Sequence, residues 1–154
     1  MQTFLDVKLN KDITKALSEL GFIKPTPIQS KTIPLLMDSN QDLIGSAQTG
    51  TGKTAAFGIP SIHLTDLSDK KTQTLILCPT RELCMQITSD LKKYAKYVNK
   101  IGIDDTRLVI RQRLFQGARW SIRWVEIANL IVPKESCWYH LLPRALPTRH
   151  VIFN

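Results

Sequence analysis

Only three cysteines and three histidines occur in this chain of 154 residues. Cys78, Cys84 and Cys137 are odd in number, and Cys78 and Cys84 have no metal-ligand spacing with each other or with His63. They read as reduced core or helix residues, and His63, His140 and His150 as isolated side chains. No apolar run approaches membrane-spanning length, and the start Met1-Gln2-Thr3-Phe4 lacks the charged-then-apolar pattern of a secretion signal. The expectation is a soluble, intracellular, cytoplasmic protein without a membrane partner. No internal repeat is visible. Arginine is nearly missing from the first hundred residues, which hold 12 Lys and 1 Arg, whereas residues 101–154 hold 1 Lys and 7 Arg. All three tryptophans, Trp120, Trp124 and Trp138, fall in that second part.

What is present suits a folded domain. The length fits one domain with a sizeable core, and the apolar fraction of 43% excludes disorder throughout. A net charge of +8 suits an anionic partner such as RNA, although many basic proteins bind none.

Periodicity predicts a helix over Asn10 to Leu20, with Ile13, Ala16, Leu17 and Leu20 on one face and Gly21 as its stop. A second helix is expected from Thr26 to Met37, with Thr26 as N-cap, Pro27 at the first position and an interruption at Pro34. Leu43 to Ser46 reads as a buried strand. The next helix runs from Lys53 toward Leu64, kinked or ended by Pro60. Asp66 to Lys71 is a polar linker, and Thr74 to Cys78 a short apolar strand. A last helix spans Arg81 to about Val98, with Leu83, Ile87, Leu91, Ala95 and Val98 inward and Asp90, Lys92, Lys93 and Lys96 in water. Strands alternating with helices imply an α/β fold with a parallel sheet. Beyond Gly102, Leu108 to Ile110 and Asn129 to Val132 are strand candidates, but Pro133, Pro143 and Pro147 divide the tail and no fold is assigned to it.

The most specific stretch is Ala47-Gln48-Thr49-Gly50-Thr51-Gly52-Lys53-Thr54. A strand, a glycine-rich loop ending in Gly-Lys-Thr and a helix form the layout of a phosphate-binding P-loop. Gly50 and Gly52 let the backbone curl so that successive N–H groups form an anion nest. The helix start adds unpaired N–H groups and the positive end of its dipole. Lys53 can reach β- and γ-phosphates, and the Thr54 hydroxyl can ligate Mg²⁺. A glycine turn that merely caps a helix has no need of Lys and Thr at these places.

Three segments together carry a resemblance. Gly21-Phe22-Ile23-Lys24-Pro25-Thr26-Pro27-Ile28-Gln29, the loop Ala47 to Thr54, and Pro79-Thr80-Arg81-Glu82-Leu83 resemble the Q motif, motif I and motif Ia of the DEAD-box ATP-dependent RNA helicases. Phe4 stands where that family has its isolated upstream aromatic, and Cys84 where Ala is usual. The resemblance covers about residues 1–100. It implies the N-terminal part of a RecA-like domain with ATP and Mg²⁺ as cofactors and RNA as partner. It implies that Gln29 reads the adenine edge with Phe22 or Phe4 beside it, although Phe22 serves equally well as core. It also implies that Ala47, Gln48, Thr49, Gly50, Thr51, Gly52, Lys53 and Thr54 hold the phosphates, with Lys53 and Thr54 catalytic and Thr54 on the metal. Thr80 and Arg81 would touch the RNA backbone; the alternative is a helix start whose arginine pairs with Glu82 or Asp90.

The family pattern continues with Gly-Gly, Thr-Pro-Gly-Arg, Asp-Glu-Ala-Asp and Ser-Ala-Thr, and none of these occurs between Gly102 and Asn154. Asp104 and Asp105 come too early for the acidic motif and read as a solvated turn. The expected organisation is an incomplete P-loop sheet over residues 1–101 and a non-matching tail over 102–154. The expected function is that of a truncated helicase, monomeric if folded and inactive alone. The alternatives are a non-catalytic nucleotide- or RNA-binding fragment, a non-functional product read out of frame from about Gly102, and an unrelated P-loop NTPase. Translation of the coding DNA in the other two frames tests the frameshift.

Overall fold

The first helix, α1 (Lys11–Glu19), is closed at both ends by local chemistry. The Asn10 side chain accepts from the backbone N–H of Asp12 at 2.9 Å, which satisfies an orphan donor of the first turn. At the other end Gly21 adopts φ 74°. Its N–H bonds the Ser18 carbonyl at 3.0 Å, and the Phe22 N–H bonds the Leu17 carbonyl at 2.9 Å. That pair of bonds is a Schellman motif, and it aims Phe22 back at the core. The computed structural model describes residues 3–38, 42–68, 73–78, 80–98, 101, 103, 108–112, 137–141 and 149–153.

The elements that follow are α2 (Pro27–Asp38), β1 (Leu43–Gly45), α3 (Lys53–Leu64), β2 (Thr74–Cys78), α4 (Arg81–Tyr94), β3 (Leu108–Gln112), β4 (Cys137–Leu141) and β5 (Arg149–Phe153). The five strands form one sheet in the order β1-β5-β4-β2-β3. β1 pairs parallel with β5, and β2 parallel with β3. β4 pairs antiparallel with both β2 and β5. The sheet is therefore mixed, where alternation of strands and helices leads one to expect a parallel one. β4 alone runs against the rest, and the chain returns from β4 to β5 as a neighbouring antiparallel pair. The strand expected at Leu108 to Ile110 is present as β3. Asn129 to Val132, Asp104 and Asp105 lie outside the described residues; Ile101 and Ile103, buried at 7% and 8%, pack into the core.

α2 continues through Pro34, and α3 is not ended by Pro60. Burial explains α3: every residue from Ala55 to Ile62 is inside, so packing outweighs the hydrogen bond that Pro60 cannot donate. Ser61 also returns its hydroxyl to the Phe57 carbonyl at 2.8 Å. Full burial of a side chain such as Ile59 contributes about 1.5–3 kcal/mol. Gly58 lets α4 come close, because a Cβ there would lie 2.3 Å from Leu91 Cδ2. α4 ends at Tyr94, earlier than Val98; residues 95–97 turn, and Ala95 and Val98 still reach the core. β1 is less buried than expected, with Ile44 at 72% exposure, because it stands at the end of the sheet order.

His63 links distant parts of the chain. Its Nδ1 accepts from the Asn10 backbone N–H at 3.1 Å, joining the last turn of α3 to the cap of α1. Burial holds its pKa below the ordinary 6.5. The folded state thus favours neutral imidazole, and this contribution is complete above pH 6.5 and lost as pH falls through the lowered value. Thermal melts should show a stability loss on acidification below that point. His63→Asn, which keeps an acceptor near the Nδ1 position, should lack this component; an identical pH profile in the variant would refute the assignment.

Candidate functional site

β1, β2, β3 and β5 all point the same way, since β4 is antiparallel to both of its neighbours. The loop after β1 and the turn after β2 therefore leave the sheet at the same, carboxyl edge, where open α/β sheets bind ligands. The first exit carries residues 46–52 into α3, and the second carries Thr80 and Arg81 into α4.

Gly50 and Gly52 both adopt positive φ, 82° and 87°. Only glycine takes such values without strain, and the two turns bring the loop back onto the start of α3. Gly52 is the N-cap, and its carbonyl accepts from the Ala56 N–H at 3.1 Å. No acidic residue occupies the first turn of α3, so nothing there opposes an incoming anion. Lys53 opens the helix and folds its ammonium back to donate to the Ala47 carbonyl at 2.5 Å. The Thr51 hydroxyl donates to the Gln48 carbonyl at 2.7 Å. Gln48, Thr49 and Gly50 are exposed, while Ala47, Thr51, Gly52, Lys53 and Thr54 are half-buried. The loop thus presents an accessible tip above a cation.

Gln29 braces this loop from α2. It is 3% exposed. Its Oε1 accepts from the Thr26 N–H at 2.9 Å, and its Nε2 donates to the Gly52 carbonyl at 3.1 Å. The first bond is half of a capping box at the start of α2. The Thr26 hydroxyl is buried at this junction with no hydrogen-bond partner among the described residues. Spacing alone gave no sign of the contact between Gln29 and Gly52, since the two are 23 residues apart; a hydrophilic Gln at a helix position that turns out buried is the one available signal.

Phe22 belongs to an aromatic row. Its ring centroid lies 6.2 Å from Phe4 and 5.8 Å from Tyr94. Burial, with Asp90 adding to it, raises the Tyr94 pKa to about 12, so that phenol stays neutral. Thr80 is the N-cap of α4, its hydroxyl accepting from the Leu83 N–H at 3.2 Å. Arg81 is exposed beside it, and Asp90 pairs instead with Lys93 at 3.0 Å. Among the described residues no three His, Cys, Asp or Glu side chains gather into a metal site, and no helix is long and apolar enough to cross a membrane.

The DEAD/DEAH box helicase family matches residues 26–133, past the point where the sequence motifs end. The chain is 48% identical over 105 residues to the ATP-dependent RNA helicase CshA of Listeria monocytogenes, covering 67% of this chain and 20% of that protein. It is 50% identical over 91 residues to the DEAD-box ATP-dependent RNA helicase CshA of Bacillus subtilis, covering 59% of this chain and 18% of that one. The chain thus spans about a fifth of the length of these relatives. Among solved structures, a DEAD box protein from Methanococcus jannaschii superposes with a TM-score of 0.60 at 26% identity, covering 73% of this chain and 34% of that one. Prp28 from Chaetomium thermophilum, solved with ADP, gives 0.57 at 37% identity over 64% of this chain and 25% of that one.

Proposed function

Since the chain belongs to the DEAD/DEAH box helicase family, we propose that it binds ATP with Mg²⁺ through the loop Ala47–Thr54 and RNA through Thr80 and Arg81, as part of a RecA-like ATP-binding domain. The observation that carries this reading is the loop itself: two positive-φ glycines and a lysine that already turns its ammonium inward, at the dipole end of a buried helix. These are the donors that a polyphosphate chain needs. The chemistry of the donor set fits the nucleotide. Gly50 and Gly52 leave room for backbone N–H groups to face phosphate oxygens, Lys53 would exchange the Ala47 carbonyl for phosphate, and Thr54 would give the metal one hydroxyl ligand. A Mg²⁺ ion keeps several waters and takes phosphate oxygens, so a single protein oxygen is enough to place it.

Gln29 has a spare N–H and a spare lone pair beyond its bonds to Thr26 and Gly52. That capacity supports an adenine contact made from the same position, with Phe22 beside it. Bound ATP supplies the phosphoryl group whose hydrolysis the RNA helicases of this family use. In the whole protein that hydrolysis would be coupled to unwinding of RNA. The chain itself holds no Asp-Glu-Ala-Asp sequence to position metal and water. The purified chain should therefore bind MgATP without RNA-stimulated phosphate release. Release that requires both RNA and Lys53 would refute the second half of that statement, and no saturable heat on titrating MgATP would refute the first.

A further inference from the structure

We propose that the exposed face of α4 is a track for single-stranded RNA, running from Arg81 to the corner where α4 meets α1. The proposal rests on the RNA reading of Arg81 and extends it along the helix. At 3.6 residues per turn, positions 81, 85, 92 and 96 fall within one narrow stripe. Here they are Arg81, Met85, Lys92 and Lys96, all exposed, with Met85 at 63%. Lys96 follows in the turn just past the helix end. The stripe holds no acid. Of the two acids of α4, Glu82 borders the stripe beside Arg81, and Asp90 lies on the opposite side, taken by Lys93 at 3.0 Å.

The far end of the stripe gains charge from α1. Lys15 Nζ lies 4.1 Å from the centre of the Tyr97 ring and Lys96 Nζ 5.1 Å from it. Glu19 accepts from both Lys96, at 2.7 Å, and the Tyr97 hydroxyl. This bracket holds two ammonium groups on one ring, and the Glu19 carboxylate, shared between Lys96 and Lys15, offsets them only in part. A surface with this excess of cations attracts a polyanion. The length favours a strand of RNA. From Arg81 to the helix end at Tyr94 the rise is about 20 Å, a span that a few nucleotides of one extended strand cover. Cations at both ends with an apolar thioether between them suit a chain of phosphates that lays sugars and bases across Met85.

Fluorescence anisotropy with labelled oligouridylates of about two and about fourteen nucleotides tests the track, the shorter being unable to reach both ends of a helix about 20 Å long. Lys92→Gln and Lys15→Gln should each weaken the longer probe about threefold and reduce its salt slope by about 0.7, leaving the shorter probe unchanged. Circular dichroism should show the helix content of both variants intact. Equal affinity of parent and variants for the longer probe overturns the track, as does an equal loss for both probes. Binding of polyglutamate through Lys92, without binding of either oligouridylate, overturns it in favour of an acidic protein partner. Arg81→Gln separates the two readings. If it weakens both probes while the lysine variants weaken neither, the RNA contact stands and the track falls; if it weakens neither, the RNA reading of Arg81 falls as well.

Discussion

Gly52→Ala is expected to lower stability by about 2–4 kcal/mol and to abolish the loop's present shape. Two causes act together. The backbone at position 52 has φ 87°, which costs an L-residue about 1–2 kcal/mol. A Cβ there would also lie 2.2 Å from Gln29 Nε2 and 3.4 Å from the Thr26 hydroxyl. Gln29 cannot swing aside without losing its bonds to Thr26 and Gly52, each of about 1 kcal/mol. Urea unfolding measures the loss, and a second background assigns it. In Gln29→Ala protein the obstruction is gone, so Gly52→Ala should cost only the backbone strain. An identical cost in both backgrounds would show that the two residues do not interact.

Lys53→Ala should weaken MgATP binding by about 10–100-fold, the size of a charge-assisted contact to phosphate. Its effect on folding should be small by comparison. The side chain is half-buried, and the Ala47 carbonyl to which it donates sits in a loop whose neighbours 48–50 are exposed, so water can replace the ammonium there. Calorimetric titration and thermal melts of the same sample separate the two effects. Unchanged nucleotide affinity in a well-folded variant would remove Lys53 from the site, and with it the reading of the loop.

Local chemistry made much of this legible beforehand. Gly21, Thr26 and Pro27 announce helix ends because capping is decided by neighbours in sequence, whereas the caps at Asn10 and Thr80 came only with the structure. The loop from Ala47 to Thr54 is legible for the same reason: its glycines, lysine and threonine act within one turn. What stayed hidden depends on distance along the chain. β4 and β5 pair with strands some 60 to 110 residues earlier, as in the register Thr74↔Leu141 and Leu43↔Val151. Short β-prone runs such as Cys137–Leu141 carry no mark of their partner, and the prolines at 143 and 147, which looked like disruption, fall between the two strands. Whether α3 continues past Pro60 was hidden too, because burial, not propensity, decides it. Gln29 was legible as a functional candidate, but its bond to Gly52 was not.

Burial of α3 on every side from Ala55 to Ile62 has a consequence for hydrogen exchange. Amides in such a helix exchange only when the surrounding structure opens as a unit, so this helix should be among the slowest to take up deuterium. Lys53 is its first residue, and the exposed loop tip at Gln48 to Gly50 should exchange fast. Slow and fast amides should thus meet within a few residues of Gly52. An anion held there would slow the exchange of the tip without altering that of the helix, because the helix is already closed.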